Sequence, residues 1–233
     1  MATIALVTGG NRGIGLEVVK QLTELGMITI LGSRDAVRGE AAAIQLSEQL
    51  DGQTIPVIQL DIDDLASVAE AARWVADTYG KLDVLINNAG VNYDTHQHAL
   101  SVDLDNVLST FKTNTLGAWR VTQAFVSLLK QSGHGRIVNV SSGAGELASM
   151  TGGTPAYSLS KLALNGLTLM LASALQQDGI LVNAVCPGWI ATDMGGPGGG
   201  PIEPGGKSVV WAATLEDNGS TGGFFRHGER IPW

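Results

Sequence analysis

Short apolar runs alternate along the chain with longer stretches whose apolar positions recur at helical spacing. Six runs have the length and the flanking Gly, Asp, Asn or Pro residues of buried strands, at 3–7, 27–31, 55–60, 84–86, 136–140 and 181–185. Helices are predicted over 13–25, 37–50, 65–79, 104–130 (as one helix or two) and 156–177. Continuous apolar strands that alternate with helices indicate a parallel sheet covered on both faces. We therefore predict an α/β fold with one doubly wound parallel sheet and a single domain over 1–233.

One segment departs from this alternation. Residues 195–206 read GGPGGGPIEPGG, in which ten of twelve residues are Gly or Pro. Such a composition is typical of a flexible surface loop. Because the segment follows a strand end, it could also form part of a substrate lid, which we place at 189–206.

Composition narrows the classes of partner. The net charge is −8, and no cluster of Lys or Arg is present, which argues against a surface for nucleic acid or anionic membranes. The chain has one cysteine, Cys186, and no apolar run of the roughly 18–20 residues that span a membrane. The N-terminus runs into a predicted strand with no signal-peptide pattern, so we expect a cytoplasmic protein.

Sparse charge also predicts self-association. Charged residues make up 15% of the chain, and the helices predicted at 104–130 and 156–177 are apolar on more than one side. A helix that is apolar on most sides must be buried on most sides. We predict a homo-oligomer, either a tetramer or a dimer; the alternative is a monomer whose extra apolar surface lies under the lid.

A glycine-rich turn follows the first predicted strand and opens the first predicted helix. In Thr8-Gly9-x-x-x-Gly13-x-Gly15, the first glycine allows a tight turn, the second allows the backbone to approach a pyrophosphate, and the third allows close helix packing. The helix N-terminus adds free N–H groups and a positive dipole end. The turn predicts a dinucleotide site, although ordinary turns also use glycine.

The residues after the second predicted strand bear on the choice of cofactor. NAD sites usually place an acid here, whereas NADP sites place an arginine near the 2′-phosphate. Arg34 stands at this strand end, behind the neutral Ser33, and Arg12 lies in the glycine turn. Asp35 fits an N-cap of the next helix. We predict a preference for NADP(H); a solvated arginine at a helix cap is the alternative.

Tyr157 and Lys161 lie one helical turn apart on the same face of a predicted helix. A free tyrosine titrates near pH 10, so proton exchange near pH 7 needs a pKa lowered by about three units, or roughly 4 kcal/mol. A neighbouring ammonium is the kind of group that supplies this. The pair predicts a proton donor and acceptor, and an exposed pair on a helix is the simpler alternative.

Polar residues stand at other strand ends, where the crevice of such sheets lies. Ser141 and Ser142 end the fifth predicted strand, and a hydroxyl there can donate a hydrogen bond to a carbonyl oxygen. Residues 87–90, Asn-Asn-Ala-Gly, end the fourth and could touch a cofactor or serve only as a turn. Asn114 interrupts a helical stretch, so it could mark a kink or a water site.

Together these motifs resemble the short-chain dehydrogenase/reductase family over essentially the whole chain. TGGNRGIG, NNAG, the serine pair, YSLSK and the PG of CPGWIATDM occur in the family's order and spacing. SRDAVRG, LDIDDL, VNVSS and CPGWIATDMGGP look most like the NADPH-dependent carbonyl reductases, which implies a Rossmann-type fold. Two features depart from that subgroup. Only 14 residues separate Ser142 from Tyr157, where monomeric carbonyl reductases carry a long insertion, and the segment after Met194 is short and glycine-rich.

The resemblance implies four catalytic roles. Tyr157 would be the general acid/base, and Lys161 would hold the nicotinamide ribose and lower the tyrosine pKa. Ser142 would orient the substrate carbonyl, and Asn114 would hold a water that links Lys161 to solvent.

The resemblance and the strand-end reasoning also give binding residues. The predicted cofactor-binding residues are Gly9, Asn11, Arg12, Gly13, Ile14, Gly15, Ser33, Arg34, Asp61, Ile62, Asn88, Ala89, Gly90, Tyr157, Lys161, Pro187, Gly188 and Thr192. The predicted substrate-binding residues are Ser142, Tyr157, Trp189 and Met194, in a largely apolar pocket. Trp189 could instead be a core residue that holds the strand end. No metal site is predicted.

The expected activity is NADP-dependent interconversion of ketones or aldehydes and alcohols, on a small-molecule substrate. A 3-oxoacyl-carrier-protein reductase would use the same catalytic set but would need a basic surface for its acidic carrier. A non-catalytic NADP-sensing regulator is a third reading, disfavoured because such proteins typically lose the Tyr or the Lys.

Overall fold

The computed structural model describes residues 2–233, and eight strands within that range form one sheet in the order β3-β2-β1-β4-β5-β6-β7-β8. All neighbouring strands are parallel except β7 and β8, which are antiparallel. The strands are β1 Ile4–Thr8, β2 Ile28–Ser33, β3 Val57–Gln59, β4 Val84–Asn87, β5 Arg136–Val140, β6 Leu181–Val185, β7 Phe224–Arg226 and β8 Glu229–Arg230.

Helices cover both faces of the sheet because alternate strand residues point to opposite sides. Leu6 packs in the cluster that contains Phe125, beneath α3, α5 and α6. Its neighbour Val7 packs in the cluster that contains Leu22, beneath α1, α2 and α7. The helices are α1 Gly13–Glu24, α2 Ala36–Gln49, α3 Leu65–Tyr79, α4 Leu104–Phe111, α5 Ala118–Ser132, α6 Pro155–Ala174 and α7 Ile202–Ala213. The predicted doubly wound α/β fold is confirmed.

The stretch predicted at 104–130 as one helix or two is two helices joined by a π-helical turn, Lys112–Gly117. Asn114 lies in this turn and is buried. Single π-helical turns inside α-helices often mark functional sites, because the extra residue turns side chains away from the regular face.

The glycine- and proline-rich segment is not loop throughout, since α7 begins at Ile202 inside the range predicted as a loop. Pro204 stands in the first turn of α7, where a missing N–H group costs no helical hydrogen bond. A Cβ on Gly205 would lie 3.0 Å from the Ile190 side chain, and one on Gly206 would lie 2.7 Å from Glu17 and Gln21 of α1. These glycines therefore permit close packing of α7.

Two strands of the C-terminal region were not predicted. β7 has three residues and β8 has two, too few to show an alternating pattern. β7 extends the parallel sheet through pairs such as Ala184 with Phe224. Within residues 2–233, no helix is long and apolar enough to cross a membrane.

Candidate active site

A cleft of about 720 Å³ lies across the carboxyl ends of the parallel strands. The chain leaves β1 on one side of the sheet and β4 on the other, so the connections diverge there and open a crevice. Every predicted cofactor- and substrate-binding residue lines this cleft. Asn114 lies behind its wall.

The glycine turn forms the middle of the cleft floor. Gly9 has φ +62°, a left-handed conformation that favours glycine. A methyl group on Gly15 would lie 2.3 Å from the Gly9 carbonyl oxygen, so α1 can meet the turn only with glycine there. The Asn88 side-chain amide donates to the carbonyl oxygens of Thr8 and Gly9, at 2.9 and 3.1 Å. Asn88 therefore fixes the turn to the end of β4.

Arginines gather at one end of the cleft, after β2. Arg34 and Arg38 both line it, and Arg38 was missed in the sequence because it lies five residues beyond the end of β2, on α2. Asp35 caps α2 by accepting from Arg38 N at 3.1 Å, as its position predicted. Arg12 lies 2.8 Å from Asp193, in an exposed ion pair. Exposed pairs contribute little, so Arg12 remains free to exchange partners.

Tyr157 stands at the other end of the cleft, in the first turn of α6. The carboxylate of Asp94 accepts hydrogen bonds from the backbone N–H groups of Ala156 and Tyr157, at 2.9 and 3.0 Å. These groups have no partner within the helix, so a buried carboxylate from another loop caps α6. Asp94 was not predicted because nothing near it in the sequence indicates a helix 60 residues away.

Lys161 is buried one turn further along α6, and its Nζ donates to the Val140 carbonyl oxygen at 2.8 Å. Its Nζ lies 5.6 Å from the centre of the Tyr157 ring. Asn114 accepts from Val91 N at 2.8 Å and donates to Ser160 Oγ at 2.9 Å. Its amide therefore ties the π-helical turn to α6 beside Lys161.

The electrostatics of this pair differ from the sequence expectation. Burial raises the pKa of Tyr157 to about 12, although a hydrogen bond with Ser142 opposes the rise. Burial also lowers the pKa of Lys161 to about 8. The prediction that Lys161 holds the tyrosine pKa below its ordinary value is therefore wrong for this structure, because burial is the largest influence on the Tyr157 pKa and the Lys161 ammonium donates to Val140.

The two serines after β5 point in different directions. Ser141 is buried and donates to Asn165 Oδ1 of α6 at 2.6 Å. Ser142 lines the cleft beside Tyr157. Both serines border the cleft, but the Ser141 hydroxyl is engaged by Asn165, so Ser142 stays the serine predicted to contact a substrate.

Aromatic and sulfur-containing side chains also line the cleft. Trp189 is 65% exposed and its indole donates to the Gly195 carbonyl oxygen at 2.8 Å, which excludes a core role. Met194 also lines the cleft. Tyr93 packs edge-on against the Tyr157 ring, with centroids 5.1 Å apart, and was not predicted. Arg226, at the end of β7, lines the cleft as well and was missed because β7 was missed.

The arrangement can hold a dinucleotide that carries phosphates and can deliver a proton at one end. Backbone N–H groups at the start of α1, arginines beyond β2, and a tyrosine–serine–lysine set lie along one continuous cleft. Among residues 2–233, no group of three or more His, Cys, Asp or Glu side chains is placed to hold a metal ion.

Comparison with known proteins places these features in a family. The model for short chain dehydrogenase matches residues 3–198. Carbonyl reductase [NADPH] 1 of Homo sapiens is 34% identical over 260 residues, covering 91% of this chain and 91% of the human protein. (+)-Neomenthol dehydrogenase of Arabidopsis thaliana is 34% identical over 281 residues, covering 95% and 94%.

Solved structures give the same result. The NADPH-bound carbonyl reductase from chicken fatty liver superposes with a TM-score of 0.88 at 29% identity, covering 100% of this chain and 99% of that one.

Proposed function

The chain belongs to the short-chain dehydrogenase/reductase family of oxidoreductases, and from that premise we propose that it interconverts ketones or aldehydes and alcohols with NADP(H). The main support is the convergence of Ser142, Tyr157 and Lys161 at one end of a cleft whose other end carries arginines. The relatives named for NADPH favour the same cofactor.

The residues present fit NADP(H). The glycine turn and the start of α1 would hold the pyrophosphate, since a Cβ on Gly13 would lie in the cleft, 3.5 Å from the Thr192 side chain, and would occupy that space. Arg34 and Arg38 would bind the 2′-phosphate, with Arg12 joining them when it leaves Asp193. When bound, NADPH supplies the hydride that reduces the carbonyl carbon.

Tyr157 supplies the proton. With a pKa near 12, its hydroxyl is protonated at neutral pH and can donate to the oxygen of a carbonyl group. Ser142 donates a second hydrogen bond to that oxygen and so orients it. Lys161, with a pKa near 8, is charged at neutral pH and can donate to ribose hydroxyls.

Turnover by Tyr157→Phe tests the proposal. The phenyl ring keeps its contact with Tyr93 but cannot donate a proton, so turnover of an aryl ketone should fall at least 100-fold. Binding of NADPH, followed by its fluorescence, should change little. Retention of more than a tenth of wild-type turnover would exclude Tyr157 as the acid.

The same assay separates the alternative readings. Strong preference for a 3-oxoacyl thioester over simple ketones would favour a carrier-protein reductase. Binding of NADPH without turnover of any carbonyl compound would favour a sensor.

We further propose that the protein is a homo-oligomer, with a tetramer expected and a dimer as the alternative. Leu104 and Leu108 of α4 are exposed, as are Leu159 and Met170 of α6. The last two lie on one side of their helix, three turns apart, so a partner helix could cover both. Light scattering should give a mass well above 24.2 kDa, and Leu159→Arg should lower it. A wild-type monomer would refute the proposal.

A further inference from the structure

The side chain of Arg226 reaches the cleft from the end of β7, on the side away from the arginines that follow β2. Its Nη2 donates to Cys186 Sγ at 3.3 Å. A Cβ on Gly143 would lie 2.7 Å from the same nitrogen, so the guanidinium lies directly against the backbone of that glycine. Gly143 follows Ser142, which places Arg226 one residue from the group that would orient the carbonyl.

The guanidinium of Arg226 lacks an anionic partner. It is half-buried, and within residues 2–233 no carboxylate lies within 4.0 Å of it. Its Nε is buried with no hydrogen-bond partner in that part of the chain. The sulfur of Cys186 is a weak acceptor and already accepts from Gly143 N at 3.2 Å.

The other buried or half-buried arginines of this protein lie close to carboxylates. Arg136 lies 2.7 Å from a carboxylate oxygen of Asp217 and also donates to the Leu215 carbonyl oxygen. Arg120 lies 3.9 Å from a carboxylate oxygen of Asp63. Burying a cation without such a partner is costly, and a guanidinium matches the two oxygens of a carboxylate. An unpaired arginine facing a ligand cleft therefore points to an anionic ligand.

We propose that Arg226 binds a carboxylate of the substrate, and that the preferred substrates are carbonyl compounds with a carboxylate near the reducible carbonyl. This inference rests on the proposed carbonyl reduction. The substrate carbonyl would lie at Ser142 and Tyr157, and the carboxylate would lie at Arg226 on the neighbouring strand end. The carboxylate is unchanged by the reaction, in which the carbonyl carbon gains hydride and its oxygen gains a proton. The expected largely apolar pocket is therefore charged on one side.

A matched substrate pair tests the proposal. Phenylglyoxylate and its methyl ester share the ketone and the ring but differ in charge. For the wild-type enzyme, kcat/KM should be at least tenfold higher for the acid. In Arg226→Gln, the ratio of kcat/KM for acid to ester should fall 10- to 100-fold, about 1.4–2.8 kcal/mol, mainly through KM for the acid. Arg226→Lys should recover part of the ratio.

Arg230→Gln is the matched control. It makes the same charge change on β8, where the guanidinium lies 5.6 Å from the Phe225 ring and outside the cleft. The acid-to-ester ratio should stay at its wild-type value.

The outcomes separate this inference from the proposed function. Reduction of the ester with no preference for the acid would overturn the role of Arg226 and leave carbonyl reduction standing. An equal loss on both substrates in Arg226→Gln would make Arg226 a structural residue. Failure of the wild type to reduce either compound, or any other ketone, would refute both.

A binding measurement covers the case in which Arg226→Gln does not fold. Benzoate should raise the melting temperature of the NADPH-loaded wild-type protein, whereas benzamide should not. Equal shifts from the two compounds would contradict carboxylate binding.

Discussion

Replacing Lys161 with methionine should stabilise the protein while abolishing its proposed activity. Lys161 is 4% exposed, and burial lowers its pKa from 10.5 to about 8. The native state therefore binds this proton less tightly than the unfolded state does. Methionine keeps a side chain of similar length without the charge, so it removes the desolvation and fills the same space.

The magnitude follows from the shift in pKa. Below pH 8 the lysine is charged in both states, and the native state carries the whole penalty, which at 1.36 kcal/mol per unit is about 3 kcal/mol. The substitution also leaves the buried Val140 carbonyl oxygen without this donor, which costs about 1–3 kcal/mol. The free energy of unfolding at pH 7 should therefore rise by up to about 2 kcal/mol.

The dependence on pH has a definite sign. As pH rises from 8 towards 10.5, the native lysine loses its proton first, and the wild type recovers stability. The advantage of Lys161→Met should therefore shrink across this range. Measurements should stop near pH 10, because the native state holds the Tyr157 proton above the pH at which an unfolded tyrosine loses it.

Urea unfolding at pH 6 to 10 measures these differences, with turnover assayed in parallel. Lys207→Met is the control, because Lys207 is exposed on α7 and its loss should change stability by no more than about 0.5 kcal/mol at any pH. A Lys161→Met protein that is less stable than wild type at pH 7, or whose difference does not vary with pH, would refute the reasoning.

Three further substitutions test the ends of the cleft. Arg34→Ala should lower the affinity for NADPH by about one to two decades and change the affinity for NADH little, because a charge-assisted hydrogen bond contributes roughly 1.5–3 kcal/mol. Equal catalytic efficiency of the wild type with NADPH and NADH would contradict the NADP preference. Asp94→Ala should lower the free energy of unfolding by about 1–3 kcal/mol, because it leaves two buried N–H groups without an acceptor, and should lower turnover more than NADPH binding. An equal loss of turnover and of NADPH binding would contradict the role of Asp94 in positioning Tyr157. Trp189→Ala should change the ratio of kcat/KM for a bulky ketone to that for a small ketone. An unchanged ratio would show that Trp189 does not contact the substrate.

The fold could be predicted from the sequence because its central strands are buried on both faces. A strand such as β1, Ile4–Thr8, is a continuous apolar run, and the helices between such strands are long enough to show their period. The edge of the sheet formed by β7 and β8 could not be predicted. β7 and β8 are too short for a pattern, and α7 opens with Pro and Gly, which locally favour a turn while tertiary packing against α1 favours the helix.

The candidate site likewise contains some residues that local sequence motifs indicate and others that only folding brings together. The glycine turn and the Tyr157–Lys161 pair are local in sequence, so their spacing predicts a dinucleotide site and a proton donor and acceptor, although each motif alone also fits a simpler alternative. Asp94 caps α6 and Arg226 lines the cleft, and both lie far in sequence from the residues they contact there. Only folding brings them to these positions. Even the local pair was only partly predicted, because burial, which sets both pKa values, is a property of the fold.

A single physical feature connects stability and function in this cleft. Lys161 is buried without a carboxylate, and Arg226 is half-buried without one, in a chain whose net charge is −8 and which therefore has carboxylates to spare. Pairing either cation internally would stabilise the fold but would also occupy its donors. Without carboxylate partners, Lys161 keeps donors for the proposed ribose hydroxyls and Arg226 keeps donors for the proposed substrate carboxylate. The rise in stability of Lys161→Met would measure what an unpaired buried cation costs the fold. The fall in the acid-to-ester ratio of Arg226→Gln would measure what an unpaired cation contributes to substrate selection.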